Sequence, residues 1–214
     1  KLFNKKDMIT TDIPVLNIAL SGTIDGRLTP GLTVIAGPSK HCKSKLALIM
    51  ASAYLRKFDD AVCLLYDTEF GITPDYLTAM GVDPKRCLHT PVEHVEQLKF
   101  DVVKQLENIE RGEKVIIVID SIGNLASKKE LEDAMNEKSV ADMSRAKALK
   151  GLFRMVTPYL TMKNIPMLAV NHTYKEIGLF PKDVVGGGTG IYYSADNIWI
   201  IGRQQDKVGT EIKG

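Results

Sequence analysis

The stretch Leu32–Ser44 reads LTVIAGPSKHCKS. Its first five residues, Leu32–Ala36, are continuously apolar and partly β-branched, which fits a strand buried on both faces. The next eight, Gly37–Ser44, match the phosphate-loop pattern G-x-x-x-x-G-K-[ST] at every fixed position but one: Cys42 stands where the second glycine is expected. The residues after Lys43 carry a helical pattern as far as Lys57. A strand, a glycine-started turn and a helix N-terminus in succession make an anion cradle, because backbone N–H groups and the helix dipole point to one place. Gly37, Pro38, Ser39, Lys40, His41, Cys42, Lys43 and Ser44 are therefore the candidate phosphate-binding residues. In this reading Lys43 neutralises the outer phosphates and the Ser44 hydroxyl ligates Mg²⁺. The plainer alternative is an ordinary strand–helix turn with incidental lysines. Cys42 is tolerable there if its φ is an ordinary negative one.

Working outward, short apolar runs alternate with helical patterns. Strands are expected at 61–66, 114–120, 165–171 and 197–202, with long helices at 92–110 and 139–163, the latter holding Pro158 near its end. This alternation predicts a mostly parallel α/β sheet flanked by helices, with ligands beyond the carboxyl ends of the strands. Two further motifs fall at such ends. The apolar run Lys114–Asp120 delivers Asp120 as a metal-holding carboxylate. Asp67 and Glu69 follow the second strand, and Glu69 is the candidate to orient and deprotonate an attacking water, with Asp67 in support.

Composition narrows the class. The 214 residues are 44% hydrophobic and 25% charged, with a formal charge of +2, so any polyanion contact must come from local basic patches. Three cysteines at irregular spacing suit neither a disulfide framework nor a zinc site and point to a reducing cytoplasm. No apolar run approaches the roughly 20 residues that cross a bilayer, so no membrane partner is expected.

Taken in order, GPSKHCKS, DTEFGITPDYL (67–77), DSIGNLASKKE (120–130), AVNHTY (169–174) and GGGTG (186–190) resemble the RecA family across nearly the whole chain, most of all its phage branch, where the second P-loop glycine is also missing. The resemblance implies a RecA-like P-loop NTPase fold and the ATPase core of a DNA strand-exchange protein using ATP and Mg²⁺. It assigns catalysis to Glu69 with Lys43, adenine packing to Tyr76 with Thr73 beside it, and γ-phosphate sensing to His172. It implies that two segments, about 124–138 and 173–190, are flexible loops facing single- and double-stranded DNA. The candidate contacts are Lys128, Lys129, Lys175, Lys182 and the backbone of Gly186, Gly187 and Gly188. Lys147 and Arg154, seven apart on one helix face, are added as backbone contacts. Acidic neighbours of Lys128 and Lys129 leave a merely solvated face open for them.

The resemblance also implies self-association into a filament, with single-strand-binding and loader proteins as partners. The chain is expected to be one core domain, 1–214, of a longer protein. A polymerisation element before it and a C-terminal region after it would then lie outside, and turnover by the isolated chain should be weak. A RecA-fold replicative helicase and a non-hydrolysing ATP-gated mediator stay open as alternatives.

Overall fold

A computed structural model describes all residues except 1–8, 23, 25–27, 137–142, 177–182, 203–205, 209–210 and 214, with backbone alone for 206–208 and 211–213. The helices are α1 (Pro14–Ser21), α2 (Lys43–Lys57), α3 (Pro74–Ala79), α4 (Val95–Asn108), α5 (Lys128–Met135), α6 (Ser144–Lys163) and α7 (Thr189–Ser194). The strands are β1 (Gly31–Gly37), β2 (Val62–Asp67), β3 (Cys87–Pro91), β4 (Val115–Asp120), β5 (Pro166–Lys175), β6 (Asp183–Val185) and β7 (Asn197–Ile200). Strands β8 (Asp206–Val208) and β9 (Glu211–Lys213) form a separate antiparallel pair.

The main sheet runs β3-β2-β4-β5-β1-β7, with every pairing on that path parallel; β6 folds back antiparallel on the end of β5. The apolar runs explain this placement. Leu32, Val34 and Ala36 of β1 pack on one face of the sheet with α4 and α6, while Ile35 faces α2 on the other. In β4, Val115, Ile117 and Ile119 share the first face and Ile116 and Val118 the second. A strand with both faces covered has no use for polar alternation, so its sequence is continuously apolar. Because the ladder is parallel, Gly37, Asp67 and Asp120 all emerge at one edge of the sheet, and His172 is the register partner of Gly37.

The five expected strands and the helices at 43–57 and 144–163 form within a few residues of their sequence-based limits. Three differences concern the site, the first being that the expected loop 173–190 carries the end of β5, the strand β6 paired antiparallel with it, and the start of α7. Residues 87–91 form an edge strand where none is expected, and α4 consequently starts at Val95, its N-cap His94 accepting from the Gln97 amide. The segment expected as a loop from 124 contains α5, closed at its start by a capping box in which Ser127 and Glu130 each bond the other's backbone N–H.

Candidate nucleotide site and nucleic-acid face

The cradle begins where β1 ends. A Cβ on Gly37 would lie 2.7 Å from the Ile201 carbonyl oxygen, so only glycine fits there. Beyond it the chain takes left-handed backbone at Lys40 (φ 61°) and Cys42 (φ 55°) before α2 starts at Lys43. Cys42 thus departs from the negative φ on which its tolerance was expected to rest. It keeps the conformation a glycine would adopt freely, at a local cost of about 1–2 kcal/mol. Its side chain is exposed and leaves the cradle open. Left-handed residues alternating with ordinary ones turn successive N–H groups to one side, and the first N–H groups of α2 lack intrahelical partners.

Lys43 is buried, and its ammonium donates to the Pro38 carbonyl at 2.7 Å, folding the loop over itself. Burial lowers its pKa, while Glu69 and Asp120 oppose that shift. Asp120 is only 6% exposed. Burial pushes its carboxyl up to about 6, helped by Glu69 and Asp67; a hydrogen bond from Ser44 and the charge of Lys43 pull the other way. A hydroxyl and a carboxylate joined in this way are two hard oxygen donors, which suits Mg²⁺ completed by phosphate oxygens and water. Among the described residues no cluster of three or more His, Cys, Asp or Glu is grouped to hold a metal without such help.

Glu69 sits on the loop after β2. Its Oε1 accepts from the Ser121 hydroxyl at 2.8 Å and lies 3.4 Å from His172 Nε2. Ser121 is held in turn: its amide donates to the Thr68 hydroxyl, which donates to the Ser121 carbonyl. His172 packs so closely over Gly123 that a Cβ there would come within 2.2 Å of its ring. Ser39, Lys40, His41, Cys42, Lys43, Ser44, Glu69, Tyr76, Asp120 and His172 thereby line one cleft of about 250 Å³. Thr73 is not in the lining; its hydroxyl caps α3 by accepting from the Tyr76 amide. Tyr76 is half-buried, and burial raises its phenol pKa, with Asp120 and Cys42 adding to the shift. Sequence reasoning missed Ser121, Thr68 and Gly123. The serine after the strand-end aspartate is the one signal that was visible.

The basic candidates are spread more widely. Lys128 and Lys129 lie on α5, not on a loop. The Lys128 amide donates to Glu96, and its ammonium faces Glu132 at 3.7 Å, the arrangement of a solvated helix face. Lys147 and Arg154 are exposed on α6. Arg145, by contrast, turns inward and donates to the carbonyls of Ile122, Gly123 and Leu125, tying α6 to the loop after β4. Lys175 pairs with Asp183 across the β5–β6 ladder at 2.9 Å. Lys182 lies outside the described residues. The glycine run is built into the fold: the Gly186 N–H donates to the His172 carbonyl and the Gly186 carbonyl accepts from Asn171 Nδ2, so its backbone is already engaged. A Cβ on Gly187 (φ 95°) would meet Ile191 at 2.8 Å, and Gly188 (φ 77°) caps α7.

A doubly covered parallel sheet with a phosphate loop after β1 and strand-end acids on β2 and β4 defines a RecA-like P-loop NTPase fold. The comparisons agree. The family model described as the RecA N-terminal domain matches residues 4–213, and the chain belongs to the RecA family. It is 60% identical over 214 residues to the Recombination and repair protein of Enterobacteria phage T4, covering all of this chain and 55% of that protein. Identity is 28% over 225 residues to Protein RecA of Wolinella succinogenes, covering 100% of this chain and 61% of the relative. It is 29% over 213 residues to Protein RecA of Thermus aquaticus, covering 97% and 60%. The chain thus spans little more than half the length of the relatives it matches. No helix among the described residues is long and apolar enough to cross a membrane.

Proposed function

We propose that this chain is the ATP-binding core of a DNA-dependent ATPase that drives homologous pairing and strand exchange, acting in the cytoplasm as part of a filament on single-stranded DNA. The observation that carries the reading is the convergence of Lys43, Ser44, Asp120 and Glu69 on one cleft at the carboxyl edge of the sheet.

Each residue has a role that its surroundings suit. The amides at the start of α2 and the Lys43 ammonium bind the phosphates. Tyr76 packs on the adenine at the cleft mouth, with Thr73 holding the turn that presents it. Ser44 and Asp120 would hold Mg²⁺, which supplies charge neutralisation across the outer phosphate oxygens. Glu69 takes the proton of the attacking water, and Ser121 fixes the direction of its carboxylate. His172 touches Glu69 on one side, and its backbone carbonyl accepts from Gly186 on the other. It is therefore suited to relay the state of the terminal phosphate to the glycine run. ATP-bound chains grip DNA, and hydrolysis loosens them. The exchange itself is positioning and base pairing, with no covalent change to DNA. Lys147 and Arg154 are the exposed α6 contacts for the DNA backbone, and single-strand-binding and loader proteins are the partners such a filament needs. Glu69 beside the phosphate cleft favours hydrolysis over a non-hydrolysing mediator.

The test is binding to a fluorescent single-stranded oligonucleotide with and without ATP–Mg²⁺, using Lys43→Ala as control. ATP should tighten binding by the wild type and leave the variant unchanged. Equal binding by both chains, whatever the nucleotide, would overturn the gating.

A further inference from the structure

Strand β3 is the edge of the main sheet, and its sequence, CLHTP, contributes little to the core. Its third residue does something a packing residue would not. His89 Nε2 lies 3.1 Å from Asp67 Oδ2. Asp67 is 1% exposed and serves as the hub of the loop that follows β2. Its Oδ1 accepts from the amides of Glu69 (3.1 Å) and Phe70 (2.8 Å), and its Oδ2 accepts from the amide of Ile72 (3.2 Å). Phe70, at the turn of that loop, is left-handed (φ 54°) and 63% exposed, a conformation that an L-residue holds only when its surroundings impose it.

We infer that His89 is a positioning residue for Glu69: its imidazole N–H fixes the Asp67 carboxylate, and that carboxylate sets the backbone carrying the general base. A carboxylate oxygen only accepts, so Nε2 carries the hydrogen in this contact. Three amides converging on two oxygens orient the loop only if the carboxylate plane is itself held. Oδ2, with a single longer amide bond, is the oxygen that needs a second donor. The β2–β3 ladder does not supply it: the amide that reaches Asp67 from beyond β3, Val92 N–H, donates to the Asp67 backbone carbonyl at 2.9 Å. Asp67 also lies opposite Asp120 in the β2–β4 register, and its charge raises the Asp120 pKa. Turning Asp67 toward His89 therefore also keeps one acid of the strand-end group out of the phosphate cleft.

The kinetic part of this inference rests on the hydrolysis reading; the structural part does not. A residue that only aims a base acts in the transition state, so its loss lowers kcat and leaves substrate binding alone. The experiment compares wild type, His89→Leu, which keeps apolar bulk without a donor, and His89→Gln, which restores an N–H of similar reach. Two readouts are taken on the full chain: amide hydrogen exchange, and ATP hydrolysis with single-stranded DNA across a range of nucleotide concentrations that yields kcat and KM separately. In His89→Leu the Glu69, Phe70 and Ile72 amides should exchange about tenfold faster, with Ile117 and Ala169 in the central strands unchanged. In the same variant kcat should fall about tenfold at constant KM, and His89→Gln should recover most of both losses.

Unchanged exchange at the three loop amides overturns the inference. So does faster exchange throughout the central strands, which would mark a general loss of stability, and so does a loosened loop with undiminished kcat. If the wild type hydrolyses nothing, the hydrolysis reading falls, and the three amides alone decide whether His89 holds the loop.

Discussion

The nucleotide cleft and the basic face are built on different principles. In the cleft the candidate side chains are held by fixed partners: Glu69 by the Ser121 hydroxyl, the Ser121 backbone by the Thr68 hydroxyl, Asp120 by Ser44, and Lys43 by the Pro38 carbonyl. On the basic face Lys147 and Arg154 stand exposed on α6, and Lys128 and Lys175 engage acidic neighbours in solvent. Chemistry at a phosphorus atom demands geometry fixed to a fraction of an ångström, whereas neutralising a flexible polyanion demands only charge within reach. The cleft should therefore fail steeply on single changes and the face in small, additive steps.

The steepest failure belongs to Lys43. Lys43→Met removes the buried ammonium of the cleft, and steady-state phosphate release should fall roughly 100- to 1,000-fold. A surviving rate within tenfold of wild type would break the contrast at its strongest point.

Asp120 makes the cleft sensitive to pH. Its folded pKa of about 6 lies above the ordinary carboxyl value of 3.8. The protonated form is thus favoured by folding: its stabilisation is complete below the unfolded value and is lost as pH rises through about 6. Asp120→Asn cannot ionise and keeps that contribution. Thermal melts without nucleotide should show it more stable than wild type at pH 8, by up to roughly 3 kcal/mol, the gap closing below pH 4. Because Mg²⁺ needs the ionised form, its apparent affinity with ATP should weaken as pH falls below about 6. A variant less stable at pH 8 would show that burial does not dominate at Asp120.

On the basic face, Lys147→Ala and Arg154→Ala should each weaken single-stranded DNA binding about three- to tenfold near 0.1 M salt and reduce the salt slope by about 0.7. Lys128→Ala should change it less than twofold, and a larger effect there than at Lys147 would reverse the assignment. Smallest of all, Cys42→Gly should relieve the left-handed strain and stabilise the fold by about 1 kcal/mol in denaturant melts with hydrolysis intact.

What was legible in the sequence follows the same division. Strands β1 and β4 could be read because both faces are covered and the pattern needs no partner to be recognised. Lys43, Ser44, Asp120 and Glu69 could be read because each belongs to a local motif. Strand β3 could not, since an edge strand with exposed Leu88 and His89 has no apolar signature. The contacts of Ser121, Thr68 and His89 depend on which strands become neighbours, information that local spacing does not carry. The left-handed backbone at Cys42 is likewise invisible in the identity of the residue. Helix α5 was hidden by its charge, although Ser127 and Glu130 spell a capping box three residues apart.

The central claim is that Glu69 acts on water at a bound terminal phosphate. Single-turnover phosphate release from ATP in the presence of single-stranded DNA, measured beside nucleotide affinity for wild type and Glu69→Gln, tests it most directly. In Glu69→Gln the rate should fall at least about 100-fold with affinity within threefold. A variant that turns over at the wild-type rate, or that loses nucleotide binding and hydrolysis in equal measure, would contradict it.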